Sequence, residues 1–136
     1  MPHVTTLKVR FYELDPYDHV NHAAYIQYFE SARVELLDSV GIGLGPLKRL
    51  GFHLVVTELA TKFLRSAGAG DELRIETEVL EIRRASSRWG QRLYRGDELI
   101  ASQEIVAATT TTEGRPVRFP DEMADKLRPF LVTGGS

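Results

Sequence analysis

The chain has 136 residues, 43% hydrophobic and 26% charged, a size and composition suited to one globular domain that buries roughly two-thirds of its unfolded surface. Its 17 basic and 19 acidic residues leave a net charge of -2, so no overall field attracts nucleic acid. Cysteine is absent, which excludes disulfides, thiolate nucleophiles and cysteine-bound zinc.

No apolar run reaches the length of a membrane span, and the N-terminus lacks the pattern of a cleavable leader. The expectation is a single cytoplasmic domain over 1–136, away from membranes, with 132–136 a frayed tail.

Residues 3–12 read as a strand, with Val4, Leu7, Val9 and Phe11 apolar and Thr5, Thr6, Lys8 and Arg10 between them. The strand breaks at Asp15-Pro16 and crosses a polar loop holding Asp15, Asp18, His19, Asn21 and His22. A helix is predicted from about Ala23, because Tyr25, Phe29, Ala32, Leu36 and Val40 share one face of a 3.6-residue period. Ile26 and Leu37 widen that face. Asn21 or His22 stands near the N-cap, and Gly41 follows as a left-handed C-cap. The run from Gly41 to Pro46 reads as a loop. Its GxGxG spacing follows a helix and not a strand, so it is not a dinucleotide fingerprint.

From Phe52 the period changes to that of strands. Residues 52–65 are followed by a Gly-rich turn, and 72–82 alternate until Leu80, where a phase swap predicts a bulge near Val79-Leu80. Residues 88–95 and 98–112 form a hairpin about Gly96-Asp97. Met123, Leu127 and Phe130 mark a helix over 121–131. The tally is α+β: five strands, mainly antiparallel, and one long helix lying across one face. A single helix leaves sheet surface bare, so a homodimer with a shared sheet is expected.

Asp15 is the strongest catalytic candidate. It sits at a turn about seven residues before a helix start, whose free N–H groups and partial positive charge suit a developing oxyanion. A carbonyl held by the His22 N–H would lie within reach of the Asp15 carboxylate, acting as nucleophile or as base toward water. The structural alternative is an Asp that caps its own turn. His19 and His22 with Asp15 or Asp18 offer a metal alternative, but not at a standard zinc spacing. No metal or organic cofactor is required. Arg83, Arg84, Arg88 and Arg92 cluster around one hairpin and could bind a phosphorylated group, or form a solvated turn. Glu58, in an otherwise apolar strand, is a lesser candidate that Lys62 could neutralise. No GxSxG supports a serine hydrolase.

The stretch VRFYELDPYDHVNHAAYIQYFESARVELL, with VVTELATKFLRSAGAGDEL and GRPVRFPDEM further on, resembles the 4-hydroxybenzoyl-CoA thioesterase-like branch of the hotdog-fold acyl thioesterases. The resemblance implies a hotdog fold, its five-stranded sheet wrapped around one long central helix. It also implies an acyl-CoA thioester hydrolase in which Asp15 is the catalytic carboxylate and the His22 backbone N–H polarises the carbonyl. Tyr25 and Asn21 would meet substrate, and Arg83, Arg84 and Arg88 would lie near the CoA phosphates. Homodimers or homotetramers with sites at the subunit interface are further implications. The run DxxxHVNH also resembles the DxNxHVNN motif of acyl-acyl carrier protein thioesterases, where His19 would match the catalytic His; Tyr17 replaces that motif's Asn. A non-catalytic acyl-CoA-binding protein on the same fold is the remaining alternative.

Overall fold

The computed structural model describes residues 1–132. Five strands, β1 (His3–Lys8), β2 (Phe52–Phe63), β3 (Glu72–Ile82), β4 (Ser86–Arg95) and β5 (Glu98–Thr111), form one sheet in the order β1-β3-β4-β5-β2. Every pairing is antiparallel. The longest helix, α1 (His22–Ser39), has 18 residues. Two shorter helices, α2 (Leu44–Arg49) and α3 (Asp121–Leu127), join it. Among the described residues no helix is long and apolar enough to cross a membrane.

Local chemistry accounts for the elements. Helix α1 ends in a Schellman arrangement: Gly41 adopts φ +79°, its N–H reaches Asp38 O, and the Ile42 N–H reaches Leu37 O. In the β4–β5 hairpin Gly96 takes φ +60° at the first of two central positions, where a type II′ turn favours glycine. The expected bulge is present in β3. Register passes from Val79↔Trp89 to Glu81↔Arg88, so Val79 and Ile82 both pack toward the core.

The core lies between α1 and the inner face of the sheet. Tyr25, Phe29 and Ala32 meet Leu73, Ile75 and Leu93 at one end. At the other, Leu36 and Leu37 meet Val79, Trp89, Ile105 and the buried Met123 and Leu127 of α3. The outer face carries ion pairs, with Arg92 bridging Glu76 and Glu78, and Arg88 bridging Glu81 and Glu104.

Four expectations change. The strand read over 3–12 ends at Lys8, and Phe11–Glu13 form a 3-10 turn closed by the Glu13 side chain accepting the Arg10 N–H at 2.8 Å. The segment read as a loop through Pro46 turns helical from Leu44, because Pro46 falls within the first turn of α2, where its missing N–H costs no intrahelical bond. Glu58 is not buried in an apolar strand: β2 is an edge strand, and a second bulge, between Val56 and Glu58, leaves Glu58 exposed. No ion pair joins it to Lys62 among the described residues. Val132 is held by its N–H to Val79 O at 2.9 Å, and the rest of the expected frayed tail, 133–136, lies outside the described residues.

Candidate active site

Asp15 opens a tight hairpin of its own. Leu14 bridges Val20, the Asp15 N–H donates to His19 O at 2.7 Å, and the Asp18 N–H returns to Asp15 O at 3.1 Å. Pro16 presets the first turn position, and Asp18 takes φ +62°, as a three-residue hairpin loop requires at that place. The Asp15 carboxylate accepts two backbone N–H groups on Oδ1, from Tyr17 at 2.8 Å and His19 at 3.1 Å. No described residue donates to Oδ2. The turn-capping contact is therefore real, but it engages one oxygen and orients the other.

Three backbone contacts seat this hairpin. Val20 N–H reaches Ala67 O at 2.8 Å, Asn21 N–H reaches Glu13 O at 2.8 Å, and His19 bridges Gly68. Gly68 N–H and Arg95 in turn hold Asp71 at 2.9 and 2.8 Å. Those two donors keep the Asp71 carboxyl below its usual range.

Helix α1 starts directly after the hairpin. Asn21 is the N-cap, its Oδ1 accepting the Ala23 N–H at 2.7 Å, and the Ala24 and Tyr25 N–H groups point to Asn21 O. The His22 N–H has no acceptor among the described residues, so one donor at the positive end of α1 stays unspent. The His22 imidazole rests on the Phe63 ring at 4.6 Å, and Tyr25 stands 5.5 Å from the same ring. The Tyr25 hydroxyl accepts the Ala67 N–H at 2.9 Å. Burial is the main cause of its raised pKa, and the negative charges of Asp15 and Asp71 add to it.

The predicted residues thus separate into groups. Asp15 and His22 share one loop-to-helix junction. His19 acts through its backbone; its exposed imidazole makes no hydrogen bond among the described residues. Asn21 is engaged as a cap, and Tyr25 is a buried pin on the turn before β3. Among the described residues no three His, Asp or Glu side chains converge to hold a metal.

Arg83, Arg84 and Arg88 lie elsewhere. Strand β3 begins beside the Asp15 hairpin and ends at Ile82, roughly 30 Å away at about 3.3 Å per residue. Arg83 pairs with Glu81 at 3.1 Å and Arg88 with Glu81 and Glu104 at 3.3 Å each. Within one protomer they do not meet Asp15.

The polar contacts at the flanks of the hairpin were not foreseen from the sequence. Tyr28 donates to Glu13 at 2.7 Å, and burial with that bond drives its pKa far up. Arg10 salt-bridges Glu13, and Arg95 and Arg65 stand on the turns beside the hairpin. The Glu13 contacts come from neighbouring segments, whereas the long-range pairing of residues 64–71 with the hairpin brings Arg65 and Arg95 to its side, and no local pattern announces that.

The model of the thioesterase-like superfamily matches residues 9–127. An acyl-acyl carrier protein thioesterase of Arabidopsis thaliana chloroplasts, ATL3, is 32% identical over 131 residues, which are 95% of this chain and 69% of that protein. The acyl-CoA thioesterase YbgC of Haemophilus influenzae is 32% identical over 121 residues, covering 86% and 88%. A probable thioesterase from Bartonella henselae superposes with a TM-score of 0.84 at 26% identity, covering 88% of this chain and all of that one. The Asp15 hairpin, the helix start that follows it and strands β2 to β5 lie within the matched span, and the chain belongs to the thioesterase-like superfamily and is a thioester hydrolase.

Proposed function

We propose that the protein hydrolyses acyl-CoA thioesters to the free acid and CoA, with Asp15 as nucleophile or general base. The observation that carries this reading is the pairing of a free Asp15 Oδ2 with an unspent His22 N–H at the start of α1. The thioester carbonyl oxygen would accept the His22 N–H. Oδ2 then either attacks the carbonyl carbon, expelling the CoA thiolate and leaving an anhydride for water to open, or takes a proton from the attacking water. One such oxyanion donor is worth roughly 2.7–4 kcal/mol. Replacing Asp15 by Asn keeps the turn-capping oxygen and removes the reactive one. Asp15→Asn is expected to keep the fold and acyl-CoA binding while thiol release falls about 10²–10⁴-fold. An Asn variant with full turnover would eliminate the mechanism, and a wild-type chain that binds acyl-CoA without releasing thiol would point to the non-catalytic reading.

The same reading includes the hotdog arrangement, in which the sheet curls around α1, and a homodimer joined through β2. Support comes from β2 itself: it is a sheet edge, and its inward residues Val56, Leu59 and Phe63 are 42–43% exposed. Arginines 83, 84 and 88 of a second copy, and not those of the same chain, would then be the phosphate contacts. A second reading is hydrolysis of acyl carrier protein thioesters with His19 taking part. It is favoured by the freely exposed imidazole beside Asp15 and by the likeness to the Arabidopsis enzyme. Rates on one acyl group carried by CoA and by carrier protein separate the two.

A further inference from the structure

Arg33, in the middle of α1, is 8% exposed. Its Nη1 donates to Gln91 Oε1 at 2.8 Å and Gln103 Oε1 at 2.6 Å. Both acceptors are neutral, and both amides are locked in that orientation from behind. Gln91 Nε2 donates to Phe29 O and Thr77 Oγ1, and Gln103 Nε2 donates to Thr61 Oγ1. Among the described residues no acceptor meets Nη2 or Nε, and no carboxylate pairs with Arg33. The half-buried arginines of the sheet behave differently, Arg92 holding Glu76 and Glu78, and Arg95 holding Asp71 and Glu98. Burial pulls the Arg33 guanidinium's pKa down, and only the through-space charge of exposed Glu30 opposes it. A buried cation with no anion is costly to keep.

Arg33 lines a cleft of about 90 Å³ between α1 and the sheet, whose other walls include Leu37, Leu54, Val56, Trp89 and Ile105, with Glu30 also at its lining. A largely apolar slot holds one guanidinium whose nearest carboxylate, Glu30, acts through space and makes no ion pair with it among the described residues, which suits an incoming anion. We infer that this cleft is a carboxylate site, binding the head of an alkyl or aryl carboxylate on Arg33 with its tail against Leu54, Val56 and Trp89. Guanidinium and carboxylate form charge-assisted bonds that neutral amides do not match. Two sources supply that chemistry. One is the free acid that thioester hydrolysis releases. The other is a carboxylate at the far end of a bound acyl group, since Arg33 lies about 16 Å along α1 from His22.

Binding is measurable without any catalysis, because Trp89 is the chain's only tryptophan and lines the cleft. Titrating the full chain with hexanoate is expected to change Trp89 emission saturably, with neutral hexanamide at least about tenfold weaker. Arg33→Gln should abolish the response, and Arg33→Lys should keep part of it. Val56→Phe, at a half-exposed position, should block the cleft with Arg33 intact, which covers the case of an Arg33 variant that fails to fold.

Equal responses to hexanoate and hexanamide overturn the inference. So does a silent Trp89 up to tens of millimolar, or binding that survives Arg33→Gln. If Arg33→Gln instead dissociates an oligomer while hexanoate has no effect, the missing anion belongs to a second copy and the inference again fails. The source is decided by turnover. Free acid predicts competitive inhibition of hexanoyl-CoA hydrolysis by hexanoate. A distal carboxylate predicts a preference for ω-carboxyacyl-CoA over acyl-CoA of equal length, lost in Arg33→Gln. Only these two turnover arms rest on the proposed acyl-CoA hydrolysis. Failure of Asp15→Asn to lower turnover would leave the fluorescence result standing, and the reverse holds equally.

Discussion

The inner face of the sheet has two halves built from the same kinds of residue. Under α1, Ile75, Val79 and Leu93 are sealed from solvent. At the sheet edge on β2, Val56, Leu59 and Phe63 point to the same side yet stay 42–43% exposed. Width explains the difference. Five strands about 4.8 Å apart span about 19 Å, whereas a helix with its side chains is about 10–12 Å across. One helix, with the side chains of its neighbours, closes over β3, β4 and β5 but not over the edge strand β2 as well. Side-chain type on a strand therefore does not decide burial; the second layer does.

The sharpest test of that comparison is a matched pair of truncations. Ile75→Ala is expected to cost about 2–5 kcal/mol in denaturant unfolding, as a sealed core position should. Leu59→Ala should cost under about 1 kcal/mol at high dilution and more as protein concentration rises. Equal costs at high dilution would break the comparison. Next in size, Leu59→Lys should leave the fold intact by circular dichroism but shift sedimentation toward a monomer; an unchanged sedimentation coefficient would remove β2 as the joining edge.

Gly90→Ala probes the sealed half from its outer side. A methyl there would meet Leu80 Cδ2 at 3.1 Å, so a loss of about 1 kcal/mol is expected, limited because that leucine end can move. The smallest effect concerns acid stability. The Asp71 carboxyl is held down first by the Gly68 N–H and then by Arg95. A depressed folded pKa contributes stability that is complete above the unfolded value of about 3.9 and is lost as pH falls through the folded one. Asp71→Asn should flatten the acid limb of the stability curve by less than about 1 kcal/mol, given an exposed, screened pair. An unchanged limb would show that this anchor of the Asp15 hairpin carries no weight.

Much of the site was legible because its parts are sequence neighbours. Pro16 and Asp18 make the turn, Asn21 makes the cap, and the two together set Asp15 beside His22. The bulge at Leu80 was legible for the same reason, a two-residue alternation that slips by one. Arg33 was not. It falls beside the apolar stripe of α1 as a charge, and its burial comes from Gln91 and Gln103 reaching it from β4 and β5. Glu58 misled in the opposite direction, since an apolar-rich strand suggests a sealed one and β2 is an edge. Arg83, Arg84 and Arg88 formed a convincing cluster in the chain, but the length of β3 separates them from the reacting groups.

By itself the sequence determined the long helix, the strands from β2 to β5 and the short polar turn that carries Asp15, but not α2 or the end of β1, because the former depend on patterns spanning only a few residues. Tertiary structure alone decided which His22 and Asp15 groups remain unspent, which arginine is buried without an anion, and which strand lies bare. Those outcomes depend on the width of one layer against another and on pairings between residues far apart in the chain.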